Sequence, residues 1–96
     1  MKNYLPIGSV VLLKDSLKRI MIVGLRQKQD GSDKIWDYSA CLYPEGIIDP
    51  DQLFLFDNEQ IERLYHMGPQ DGEALAFLSR LSQLDSEGEK TDTGNE

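Results

Sequence analysis

The 96-residue sequence predicts a mainly β domain of five short antiparallel strands with one helix near the C-terminus. Three observations predict it. Runs of β-branched and aromatic residues recur through the first two thirds, separated by Gly, Pro, Asp and Asn. Only one segment, late in the chain, carries apolar residues at a period of 3.6. The length allows one domain with a small core, which short strands and tight connections can fill.

Gly8–Lys14 (GSVVLLK) and Lys18–Leu25 (KRIMIVGL) are the first two strands. The brief Asp15-Ser16-Leu17 link predicts an antiparallel hairpin. Alternation groups Val10, Leu12, Ile20 and Ile22 on one face and Val11, Leu13, Met21 and Val23 on the other, so both faces should be covered. Gln27–Lys34 is a polar loop with an Asp30-Gly31 turn. Ile35–Tyr43 (IWDYSACLY) is the third strand, with Trp36, Tyr38, Ala40 and Leu42 on one face and Asp37, Ser39, Cys41 and Tyr43 on the other. Pro44-Glu45-Gly46 ends it as a tight turn. Leu53–Phe56 is a short fourth strand. Asp57–Gln60 predicts a single helical turn, with Asp57 as cap and Gln60 reaching back. The second half of Ile61–Met67 is a fifth strand ending at Gly68. The alternative is a two-turn helix over 58–66, which Ile61, Leu64 and Tyr65 also fit.

Pro69–Leu84 is the helix. Asp71 suits the N-cap and Glu73 the positive end of the dipole. Ala74, Phe77, Leu78, Leu81 and Leu84 form an apolar stripe that must dock on the sheet or on a partner. Residues 1–84 are thus a single globular domain. Residues 85–96 (DSEGEKTDTGNE) have no large apolar side chain and read as a disordered acidic tail. Five strands with a helical turn before the last is the order of a small Src homology 3-like barrel. An open antiparallel sheet with the helix on one face is the runner-up.

Composition narrows function. The net charge is −7, split between +4 over residues 1–34 and −11 over 35–96. An acidic chain is a poor match for a nucleic acid backbone. No apolar run is long enough for a membrane span and no secretory leader is visible, so the expected location is cytoplasmic. One cysteine excludes an intramolecular disulfide framework, and one histidine leaves little for histidine chemistry. No catalytic residue, metal site or cofactor is expected, and the chain reads as a non-enzyme.

A resemblance adds to this. Tyr4-Leu5-Pro6-Ile7-Gly8-Ser9-Val10-Val11-Leu12-Leu13-Lys14 is a distinctive opening, followed by Ile20-Met21-Ile22-Val23-Gly24. Then come Asp37-Tyr38-Ser39-Ala40-Cys41-Leu42-Tyr43-Pro44-Glu45-Gly46, Leu55-Phe56-Asp57-Asn58-Glu59-Gln60-Ile61 and Gly68. Together these resemble the small bacterial family called domain of unknown function 4176, over roughly residues 4–70. The resemblance implies a Firmicute gene context beside LXG toxins and type VII (ESX) secretion genes. It therefore implies a cytosolic chaperone or adaptor that binds an LXG-type toxin or another secretion-system protein. It carries no catalytic residues. An immunity protein neutralising a neighbouring toxin is the alternative, and a nucleic-acid-binding small barrel a more distant one.

Individual residues are weighed on the same terms. Cys41 lacks a neighbouring base and reads as a small core cysteine. Glu59, Glu62 and His66 have helical spacing but no cysteine pair to complete a zinc site, and read as a solvated face. Trp36 and Tyr38 read as core. The basic residues of the first hairpin read as a solvated edge or a surface for an acidic partner. In Tyr43–Ile48 the turn needs only Pro44 and Gly46. Tyr43, Glu45, Ile47 and Ile48 are left over, and are the candidate partner-binding residues.

Overall fold

Apolar β-branched and aromatic runs fold into one five-stranded antiparallel sheet in the computed structural model, which describes residues 2–94, with side chains described for 2–85. The strands are β1 (Val10–Leu13), β2 (Ile20–Lys28), β3 (Ile35–Leu42), β4 (Phe54–Phe56) and β5 (Ile61–His66). A 3-10 turn, Asn58–Gln60, precedes β5, and helix α1 spans Gly72–Gly94. The spatial order is β4-β3-β2-β1-β5, so β1 pairs with both β2 and the last strand. The fold is mainly β with one helix, and its strand order is consistent with a Src homology 3-like arrangement. The 61–66 segment is a strand and not the second turn of a helix. The Gln60 side chain does reach back, accepting the Asp57 N–H at 2.9 Å.

The first hairpin departs from the expected faces. Val11 pairs with Ile20 and Val10 with Met21. Val11 therefore joins Ile20 and Ile22 in the core, while Val10 shares the other face with Met21. Parity across a hairpin depends on the length of its connection, and Lys14–Arg19 is longer than the three-residue turn expected from the sequence.

Around Val11, Ile20 and Ile22 the core adds Tyr4, Tyr38, Ala40, Phe56 and Leu81. Tyr38 stands edge-on to Tyr4 at 6.1 Å and tilted against Phe56 at 5.1 Å. Two glycines permit close approaches. A Cβ on Gly24 would lie 2.3 Å from the Ser39 hydroxyl, at the β2–β3 irregularity. A Cβ on Gly68 would lie 2.1 Å from the Ile7 carbonyl, so only glycine lets the chain after β5 cross the N-terminal strap, residues 2–9.

α1 begins where the sequence places it, with the Asp71 carboxylate accepting the Ala74 N–H at 2.9 Å. Its backbone continues through Gly94, beyond the expected end at Leu84, across the segment expected to be disordered. Side chains of 86–96 lie outside the described residues. Asp85, assigned by sequence to the tail, belongs to the folded body: it pairs with Arg26 and accepts a hydrogen bond from the Tyr4 hydroxyl. The apolar stripe is also divided. Leu81 is buried and Leu78 packs against the core, but Phe77 is 54% and Leu84 39% exposed. The docked face runs Leu78, Leu81, Ser82, Asp85, because Ser82 and Asp85 find polar partners in the strap. The Ser82 hydroxyl donates to the Lys2 carbonyl at 2.5 Å.

One buried carboxylate organises the start of β3. Asp37, 1% exposed, accepts from Lys2 Nζ at 2.8 Å and from the Asn58 N–H at 2.9 Å. Its own N–H donates to Asp57 at 2.9 Å, and Lys34 pairs with the other Asp57 oxygen at 3.1 Å. The Tyr38 hydroxyl donates to Asn58 at 2.5 Å while accepting the Leu5 N–H at 2.8 Å. Strap, β3 and the 3-10 turn are thereby tied together.

Candidate partner-binding site

The end of β3 is built differently. His66, Val10, Met21 and Cys41 are successive Cα partners across β5, β1, β2 and β3, forming a row over one face of the sheet. Tyr43 follows at the rim of this row, its N–H donating to the Arg19 carbonyl at 3.1 Å. The Tyr43–Pro44 peptide is cis, and Gly46 has a φ of +87°, the left-handed region that favours glycine. The Gly46 N–H closes the turn on the Leu42 carbonyl at 2.8 Å. Proline and glycine thus make the turn, and the residues between and after them project from it.

The Arg19 guanidinium lies 5.3 Å from the Tyr43 ring centre and 5.2 Å from that of Tyr65. Arg63 lies 5.3 Å from the Tyr65 ring. Two rings and two cations thus hold one another in place, each contact worth about 0.5–1 kcal/mol at an exposed position. Tyr43, Arg19 and Tyr65 border a basin of about 400 Å³ whose lining includes Val10, Met21 and His66. On the other side of the turn a groove of about 150 Å³ is lined by Cys41, Leu42, Ile47, Ile48, Leu53 and Phe54. Ile47 is 53% and Ile48 72% exposed. Glu45 meets Lys18 at 2.7 Å, and that contact holds its carboxyl below the ordinary value. Both partners are solvated, so the pair contributes little to stability.

The four residues singled out by sequence therefore fall on one turn but serve two concavities. Tyr43 faces Arg19 and Tyr65; Ile47 and Ile48 face Phe54. Sequence reasoning missed Tyr65, Arg63 and Phe54. The only signal for Tyr65 lay in a segment whose period fitted helix and strand alike. The basic hairpin is not a free patch: Lys18 engages Glu45, and Arg19 engages the two tyrosines.

The remaining candidates are placed as follows. Cys41 is buried. Tyr38 is fully buried, and Trp36 is half-buried beneath Lys34 Nζ, 4.3 Å from its ring centre. Glu59 sits on the 3-10 turn, and Glu62 and His66 on β5, so the helical spacing that suggested a shared site does not exist. Among the described residues no three His, Cys, Asp or Glu side chains are grouped to hold a metal, and no helix is long and apolar enough to cross a membrane.

No curated protein and no solved structure matches the chain. A protein family does, over residues 4–77, further than the 4–70 expected from the sequence. The matched region takes in the strap from Tyr4, all five strands, the β3 exit turn and the start of α1. On that match, the chain belongs to the family described as Domain of unknown function (DUF4176).

Proposed function

We propose that the chain is a non-enzymatic protein-binding module that engages its partner at the β3 exit. The observation that supports this most is the ordered Tyr43–Arg19–Tyr65–Arg63 stack beside the exposed Ile47-Ile48 pair. Aromatic and arginine anchors with aliphatic neighbours, fixed before binding, are the usual chemistry of an interface hot spot. The family resemblance supports a narrower reading: the partner is an LXG-type toxin, and the chain is its cytosolic chaperone or adaptor before type VII export.

Calorimetric titration of the chain with fragments of such a toxin tests this. Tyr43→Ala combined with Ile47→Ser is expected to weaken binding by at least about tenfold, or ~1.4 kcal/mol, with circular dichroism unchanged. Unchanged binding, with loss on reversing Lys14, Lys18 and Arg19, would move recognition to an electrostatic surface on the first hairpin. Protection of a susceptible cell with no effect on export would make the chain an immunity protein.

A further inference from the structure

A second surface lies between the strap, β2 and α1. A groove of about 360 Å³ is lined almost wholly by apolar groups, chiefly Pro6, Ile7, Leu25, Ala74, Phe77 and Leu78. Its walls are fixed. On one side Ser9, fully buried, donates to the Pro6 carbonyl at 2.7 Å and accepts the Gly68 N–H at 3.0 Å, which sets Pro69 against Gly8. On the other side α1 is held by Leu81 in the core and by Ser82 and Asp85 on the strap and β2. The groove therefore exists before any ligand enters, and its volume suits a few large aliphatic side chains. Phe77 and Leu84, seven residues apart and so on one flank of the helix, continue it as an exposed apolar line.

Charge decides what covers it. The charged residues of the rim, Asp71 and Glu73, are both acidic. Residues 35–96 carry −11 and the whole chain −7. The 85–96 segment would bring acid against acid, and a second copy carries a net charge of the same sign as the rim. We infer that this groove receives an amphipathic helix of another protein, with its apolar stripe on Phe77, Leu78 and Ile7 and basic residues flanking the stripe to meet Asp71 and Glu73. The inference rests on the reading of the chain as a protein-binding module, but it concerns a separate surface and needs no toxin.

The test uses the full chain and three synthetic 18-residue peptides: a Lys/Leu amphipathic helix, the same composition with leucines scattered around the helix, and a Glu/Leu counterpart. Amide chemical-shift mapping should show the Lys/Leu helix perturbing Ile7, Leu25, Ala74 and Phe77, and neither control doing so. Phe77→Ser, at an exposed position, should weaken that binding about tenfold and Glu73→Lys about threefold. Tyr43→Ala with Ile47→Ser should leave it unchanged. Equal binding of either control peptide, shifts confined to the β3 exit, or indifference to Phe77→Ser overturns the inference. Toxin binding lost by the Tyr43 variant alone, or absent altogether, bears on the first site and leaves this one standing.

Discussion

The two ends of β3 put the same backbone to opposite uses. At its start a carboxylate is sealed inside, and both Asp37 carboxylate oxygens and its N–H have partners. Just past its end two isoleucines stand in solvent beside a half-buried tyrosine. A buried charge is tolerated only where several donors converge on it, and here those donors come from the strap, Lys2, and from Asn58. Exposed aliphatic side chains offer nothing to the isolated fold. The first end is architecture, and the second is available for contact.

That contrast can be broken by mutation, most severely in the core it depends on. Leu81→Asp should cost about 4 kcal/mol, since it buries a carboxylate in the apolar core. Leu84→Asp, four tenths exposed on the same helix, should cost under about 1 kcal/mol. Urea unfolding of the two variants compares them directly, and equal losses would mean that the helix docks on a different face.

Next, Asp37→Ala should cost about 3 kcal/mol by stranding Lys2 and the Asn58 N–H. Tyr43→Ala with Ile47→Ser should cost under about 1 kcal/mol, although it removes more side-chain atoms. A destabilised exit variant with a tolerated Asp37→Ala would invert the assignment of the two ends.

Titration sharpens the same point. Burial raises the Tyr38 hydroxyl to about 12, the largest cause being loss of solvent. Its pKa is raised on folding, so its contribution is intact below about pH 10 and is lost as pH climbs from there towards 12. Tyr38→Phe should flatten that alkaline limb of the stability profile, at a cost of about 1–2 kcal/mol for the unsatisfied Leu5 N–H and Asn58. At the acid end Asp57 acts in the opposite sense. Burial pushes its carboxyl up, but the Asp37 N–H and Lys34 outweigh that and leave it lowered. Its contribution is present above the ordinary aspartate value and fades as pH falls below it. Cys41→Ala should cost about 1–2 kcal/mol for a small cavity, with binding unaffected. A well-folded Cys41→Ala chain that no longer binds would give the thiol a role at the exit groove.

Element order, the Asp57–Gln60 turn, the Asp71 cap and the Pro44–Gly46 turn were legible because each rests on residues adjacent in sequence. What was not legible depends on long-range partners. Asp37 reads in sequence as one more outward polar residue of an alternating strand; nothing local says that Lys2 and Asn58 will converge on it. The docked face of α1 is rotated from its most apolar stripe because Ser82 and Asp85 find partners in the strap some eighty residues away. The candidate site was half legible. A turn needs proline and glycine, so Tyr43 and the isoleucines stood out, but Tyr65 and Arg63 arrive only through the pairing of β5 with β1.

The strap has a consequence in time as well as in space. The Lys2 carbonyl meets a hydroxyl 80 positions later, and Tyr4 meets a carboxylate 81 positions later. Contacts of such separation are slow to form, because a long loop must close first. The contacts between strap and α1 must wait for that loop to close, although the strap's bonds to β3 and Asn58 span shorter separations. In the interval the Tyr4 hydroxyl lacks its Asp85 partner, and the groove between strap and α1 lacks a wall. A folding copy therefore passes through a stage in which its sheet can pair while its apolar interior stands open to other chains.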